Sequence, residues 1–166
     1  HAIPMKTLHE AMTLRNRLLK NIEQALQTDD EEERRAYLNI VIVGGGPTGV
    51  EIAGALAEMK RYVLPKDYPE VGRDEFNIHI IDAAPRLLQA MSEGSSATAD
   101  KELSSLGVKI HHNTKVVDYD GYTLTLGDGS SIPSKAVIWV SGITANEVAG
   151  IKAELLGRGG RILVDG

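Results

Sequence analysis

The chain has 166 residues, 42% of them hydrophobic and 25% charged, with a formal net charge of −5. This is ordinary composition for one globular domain, and the acidic balance without a basic stripe argues against a nucleic-acid partner. Cysteine is absent, which excludes a disulfide framework, a thiolate metal site and a redox-active cysteine pair within the chain. No apolar run approaches the roughly 18 residues that span a bilayer, so no membrane contact is expected of these residues themselves. The chain begins with His1 rather than Met and ends at Gly166 just as an expected strand finishes, so it is expected to be a piece of a larger protein.

In chain order, Thr7-x-x-Glu10 is a capping box that starts a helix near Thr7. Leu8, Ala11, Met12, Leu18, Leu19, Ile22, Ala25 and Leu26 are expected to form its apolar stripe. Asp29 to Glu33 is an acidic run entering a short helix, with the acids at the dipole's favoured end. The pairs Arg34-Arg35 and Lys60-Arg61 are read as solvated helix faces. Asn39 to Val43 is short, apolar and β-branched, the pattern of a buried parallel strand. Pro47 to about Arg61 is a helix with proline in its first turn. A polar loop from Pro65 to Glu75 leads to a second strand, Asn77 to Asp82. Ser96 to Leu106 is a helix closed by Gly107, and Val108 to His111 a third strand. Thr114 to Asp118, Tyr122 to Leu126 and Ser131 to Ile132 alternate between turn signals at Asp120-Gly121 and Gly127-Asp128-Gly129, as in an antiparallel meander. Ala136 to Val140 and Arg161 to Val164 are expected strands. The expected fold is α/β: a Rossmann-like parallel sheet with flanking helices and a three-stranded antiparallel meander. Residues 1–38 form a helical lead-in and 39–166 the Rossmann-like domain.

The chemistry concentrates at the first turn. Gly44-Gly45-Gly46-Pro47-Thr48-Gly49 matches G-x-G-x-x-G, and it follows a strand and opens a helix, the context that gives the motif meaning. Gly44 permits the tight turn, Gly46 removes a Cβ that would block a pyrophosphate, and Gly49 allows close helix packing. Free N–H groups at the helix start then receive phosphates. A P-loop needs a lysine after the last glycine; Val50 stands there instead. Asp82, at the end of the second strand, is placed to bond the ribose hydroxyls, which favours NADH over NADPH. Arg86 is near enough to hold a 2′-phosphate, so NADPH stays open. Glu51, in the first turns of the helix, suits either dipole pairing or a function. His111 and His112 lack metal-ligand spacing and are read as surface or strand-end residues. No nucleophile elbow with triad partners is present.

With these residues in place, the chain resembles the type II NADH dehydrogenases, single-subunit flavin NADH:quinone oxidoreductases related to the pyridine nucleotide–disulfide reductases. IVIVGGGPTGVEIAGALAE from Ile40 to Glu58 resembles their NADH-binding strand, turn and helix. The opening HAIPMKTLHEAMTLRNRLL resembles their segment leading out of the flavin domain. IIDAAPRLL from Ile80 to Leu88 resembles their ribose-binding strand end, and VIWVSGITAN from Val137 to Asn146 the strand and loop under the nicotinamide. The resemblance implies that Glu51 lies near nicotinamide and flavin as a catalytic candidate, and that Ser141 and Gly142 line the cofactor site. It also implies hydride transfer from NADH to FAD and on to a membrane quinone. A second glycine motif for FAD, the distal flavin segment and the C-terminal amphipathic membrane helices are absent from this sequence. The chain is thus expected to be the NADH-binding domain alone. Its partners would be NADH, the flavin domain of the same parent chain and, through the parent, a quinone. A cytoplasmic location is expected, with the parent peripheral on the cytoplasmic face of the membrane. A ferredoxin or sulfide:quinone type of flavoprotein reductase, a non-catalytic nucleotide-binding module and a methyltransferase-like fold remain alternatives.

Overall fold

The computed structural model describes residues 1–142, 145 and 148–164. In chain order the elements are β1 (Ile3–Pro4), α1 (Leu8–Gln27), α2 (Glu31–Leu38), β2 (Asn39–Val43), α3 (Pro47–Tyr62), α4 (Leu64–Asp67), β3 (Asn77–Ile81), α5 (Glu93–Ser105), β4 (Val108–His111), β5 (Val116–Tyr119), β6 (Thr123–Leu126), β7 (Ser131–Pro133) and β8 (Ala136–Trp139). Two short 3₁₀ turns follow. A five-stranded parallel sheet runs in the order β1-β8-β2-β3-β4, and β5-β6-β7 form a separate antiparallel sheet. The strand order reverses beside β2, where α/β sheets open a crevice at their carboxyl ends.

Side-chain alternation builds three layers. Ile40, Ile42, Ile78, Ile80 and Ile138 join Leu14, Leu18 and Ile22 of α1, Ala53 and Leu56 of α3 and Leu103 of α5 in one core. On the opposite face Val41, Val43, Ile81 and Val137 pack against Leu124 and Leu126 of the antiparallel sheet. The helices therefore cover one face and the meander the other.

The capping box is formed: Glu10 N–H donates to Thr7 Oγ1 at 3.2 Å and Thr7 N–H to Glu10 Oε2 at 2.8 Å. Asp30 caps α2 by accepting from Glu32 N–H at 2.8 Å and Glu33 N–H at 3.0 Å.

Three expectations are corrected. Leu8 and Met12 are exposed rather than part of the stripe of α1, which buries Leu14, Leu18, Asn21, Ile22 and Ala25. At about 100° per residue, Leu8 and Met12 fall roughly a quarter to a third of a turn off that stripe. Arg34 is not a solvated face residue: it forks onto Glu75 at 2.8 and 3.1 Å and donates to Ala25 O at 2.6 Å, tying the loop before β3 to α1. Arg161 to Val164 does not form a sheet strand. Ile162 makes an isolated antiparallel bridge to Leu156, and the place beside β8 is taken by β1, through Ile3↔Ile138 and Pro4↔Trp139. His111 closes β4 and His112 follows it, as strand-end residues; both are half-buried and bonded, to His79 at 3.1 Å and to Asp100 at 2.9 Å respectively.

Candidate functional site

The crevice lies where β2 and β8 end and α3 begins. It is a cleft of about 820 Å³ lined by Gly44, Gly46, Thr48, Gly49, Asp82 and Ser141, with further walls from Gly142, Trp139 and the segment Pro4 to Lys6. Such a volume falls within the range of small-molecule and cofactor sites, roughly 300–1,000 Å³.

The turn is fixed by backbone constraints at three glycines. Gly44 has φ +122°, and a Cβ there would lie 2.8 Å from Ser141 N, so β2 and β8 meet only with glycine at this point. A Cβ on Gly49 would overlap Gly44 O. The close approach expected for this glycine is thus made chiefly to the turn itself, with Ile42 of the sheet 3.5 Å away. Gly46 is different: nothing lies within 4 Å of its missing Cβ. It faces the cleft, and a side chain there would occupy the space of a ligand.

Gly46 is also the N-cap of α3, makes no side-chain cap, and is followed by proline at the helix start. Val50 N–H bonds to Gly46 O at 3.0 Å. The N–H groups of Thr48 and Gly49 precede that first helical bond and are orphans of the helix terminus, open to an anion.

Asp82 organises the turn from across β2 and β3. Its Oδ2 accepts from Gly45 N–H and its Oδ1 from Ala84 N–H at 2.7 Å. Gly45 is buried against this carboxylate and Leu87; a Cβ would meet Leu87 Cδ2 at 2.6 Å. Leu88, whose φ of 50° is left-handed, donates its N–H to Gly45 O at 2.8 Å and completes the clamp. A carboxylate offers about four acceptor positions, so two backbone bonds leave Asp82 able to accept from hydroxyls in the cleft. Arg86 is committed elsewhere: it donates to Gln89 O at 2.9 Å and Met91 O at 3.1 Å, holding the loop before α5.

The structure thus brings Gly44, Gly46, Pro47, Thr48, Gly49, Asp82, Ser141 and Gly142 to one cleft. Gly45 supports it from behind. Glu51 is exposed on α3 and is not part of the cleft wall. Of the stretch to Asn146 expected under the nicotinamide, residues 143, 144 and 146 lie outside the described residues. Of two further walls, one is expected from the sequence only as part of the stretch from Val137 to Asn146 and the other is not expected at all. Trp139 borders the cleft and donates Nε1–H to Ser141 O at 3.0 Å. Pro4, Met5 and Lys6 form the other side because β1 pairs with β8. The visible signal was a proline-restricted extended stretch just before the capping box.

The family of pyridine nucleotide-disulphide oxidoreductases matches the chain over residues 3–166. The chain belongs to that family. Among curated relatives of this pyridine nucleotide-disulphide oxidoreductase chain, the type II NADH:quinone oxidoreductase Ndh of Mycobacterium tuberculosis is 34% identical over 96% of the chain and 36% of the relative. The chain therefore spans about a third of that relative's length. Its fold is that of NDH2 from Plasmodium falciparum, solved with NADH: the TM-score is 0.82 at 22% identity, over 88% of this chain and 31% of that one. A ferredoxin reductase from Rhodopseudomonas palustris is a more distant match, with a TM-score of 0.58 at 18% identity over 84% of this chain and 28% of that one. Among the described residues no helix is long and apolar enough to cross a membrane.

Proposed function

We propose that this chain is the NADH-binding domain of a flavin-dependent NADH:quinone oxidoreductase, holding the nicotinamide for hydride transfer to an FAD bound by another domain of the parent protein. The observation that carries the reading is the contrast within one turn. Gly44 and Gly49 are glycines because the protein's own backbone fills the space, whereas Gly46 faces open cleft beside the uncapped start of α3. A turn built only for itself has no need of glycine at that third position.

NADH, when bound, supplies the hydride; the chain supplies position. Thr48 and Gly49 N–H groups would receive the pyrophosphate, and the remaining acceptor positions of Asp82 the ribose hydroxyls. The carboxylate in the cleft and the engagement of Arg86 with loop carbonyls both favour NADH over NADPH. Trp139, Ser141 and Gly142 would wall the cofactor from the β8 side. Glu51 lies three residues beyond Thr48 and so one turn further along the same helix face; it is the candidate to face nicotinamide and flavin. The lead-in of residues 1–38 gives α1 to the core, β1 to the sheet and Pro4 to Lys6 to one wall of the cleft, while residues 39–166 carry the glycine turn and Asp82. By itself the chain is proposed to bind cofactor without reducing quinone, with the parent protein peripheral on the cytoplasmic face of the membrane.

An amide NMR titration with NADH and then NADPH tests this. The expected result is shifts centred on Gly44 to Gly49 and Asp82, larger with NADH. Absence of shifts with both cofactors, in this chain and in a parent protein carrying its flavin, sinks the assignment. Steady NADH oxidation by the chain alone with added quinone sinks the division of labour.

A further inference from the structure

The C-terminal end of α3 lies roughly 18 Å along the helix axis from Thr48, at 1.5 Å per residue. There a second cavity, of about 380 Å³, opens between the last turns of α3 and α5 and the loop before β3. It is lined by Ala57, Lys60, Arg61, Arg73, Ser105 and Leu106. Three of the six are cations, in a chain whose net charge is −5.

Helix-dipole pairing accounts for Lys60 and Arg61, which stand in the last turn of α3. It does not account for Arg73, which comes from a separate loop, nor for the partial burial of Lys60. Among the described residues the ion pairs are Arg34–Glu75, His112–Asp100, Lys135–Glu33 and Lys152–Glu154. The three cavity cations belong to none of them. Lys60 also feels Lys109 as a repulsive neighbour and Asp74 as an attractive one, while burial lowers its ammonium from the ordinary lysine range. Removing a cation from water without a paired anion is unfavourable. The Ser105 hydroxyl donates to Glu102 O at 2.8 Å, so recognition falls to the cations, and Ala57 and Leu106 add apolar wall.

We propose that this cavity is a binding site for a small phosphate-type anion, held by Lys60, Arg61 and Arg73 and separate from the cleft at the other end of α3. The arginine forks match a tetrahedral oxyanion in two directions, and Lys60 supplies a point charge from within the wall. The phosphate can be a free metabolite's or a lipid headgroup's, since the recognising chemistry is the same.

The test is an amide NMR titration of the chain with inorganic phosphate, against sodium chloride at matched ionic strength. Saturable shifts at Lys60, Arg61, Arg73 and Ser105 to Gly107 are expected. Any at Gly44 to Gly49 report the other site and are read separately. Arg73→Gln, on an exposed loop where folding is not at stake, should weaken the phosphate response about tenfold, the loss of one charge-assisted contact. Lys60→Gln should weaken it as well. Sedimentation with vesicles of phosphatidylcholine and phosphatidylglycerol in equal parts separates the sources. Retention that both substitutions abolish assigns a headgroup, and saturable phosphate shifts without retention assign a free anion. Shifts that rise linearly and match those of chloride, or substituted chains that titrate like the unmodified one, overturn the proposal.

Discussion

The two faces of the parallel sheet follow different rules. Among the described residues the helix face gathers 21 buried residues into one apolar cluster, with Phe76, Ile22 and Ile80 among its fully buried large side chains. The meander face gathers six. Beside these six, alternation along β3 turns His79 away from Ile78 and Ile80 and toward the meander side. There it stacks on His111, with ring centroids 5.3 Å apart and Nδ1 to Nε2 at 3.1 Å. Helices carry their own backbone bonds and can seal a face with apolar side chains alone. A small three-stranded sheet, with Val117 two-thirds exposed, seals only part of its face and leaves a strip where polar groups persist. Stability should therefore reside on the helix face, and sensitivity to pH on the other.

The largest expected effect tests the first half of that contrast. Ile80→Ala removes a fully buried side chain from the helix-face core and should cost about 4 kcal/mol. Leu126→Ala, 5% exposed on the meander face, should cost about 2–3 kcal/mol, because the smaller cluster can collapse around the gap. Chemical denaturation of both variants decides it; equal losses would mean that the two faces share one core in energetic terms.

The faces also differ in how readable they are. β2 has the bounds that its pattern predicts, Asn39–Val43, because a β-branched run between a polar helix and glycines leaves one local solution. The glycine turn is legible for a similar reason: φ at Gly44 and the carbonyl against Gly49 are demands of a few neighbouring residues. What could not be read depends on register between distant strands. The grip of Asp82 on Gly45 spans 37 residues. The strand β1 owes its identity to pairing with Ile138 and Trp139 and not to its own two residues. The His79–His111 contact exists because β3 and β4 pair His79 with Lys109 and Ile81 with His111, which neither strand announces by itself.

The second effect tests the meander face. Burial, then the neighbouring His111 and Lys109, lowers His79 to about 4 from an ordinary value of 6.5. Burial and Lys109 also lower His111, against Asp128, which raises it, with His112 a further lowering neighbour. The folded state thus prefers the neutral ring, and between pH 6.5 and about 4 the unfolded chain binds the extra proton. The contribution is fully present above pH 6.5 and is lost as pH falls toward 4, by roughly 3 kcal/mol for His79. His79→Gln should flatten the stability profile over this window when unfolding is followed from pH 7 to pH 4. The slope is the readout, because the substitution also changes packing at every pH. A variant as acid-sensitive as the parent would move the titrating groups off this face.

The smallest effect asks whether a polar contact on the helix side matters as little as the contrast requires. Arg34 forks onto Glu75 and reaches Ala25 O, but the side chains of the pair are 24% and 41% exposed, so solvent and salt screen them. The fork holds Glu75 below the usual carboxylate range and raises the Arg34 guanidinium. Arg34→Gln should therefore cost no more than about 1 kcal/mol, and less at high salt. Val71 and Phe76, buried on either side of Glu75 in sequence, keep the loop docked by apolar contact whether or not the fork is made. Denaturation at low and high salt measures the loss. A cost above that bound, unchanged by salt, would mean that the fork and not the apolar core fixes the loop, and that the helix face too is held by polar contacts.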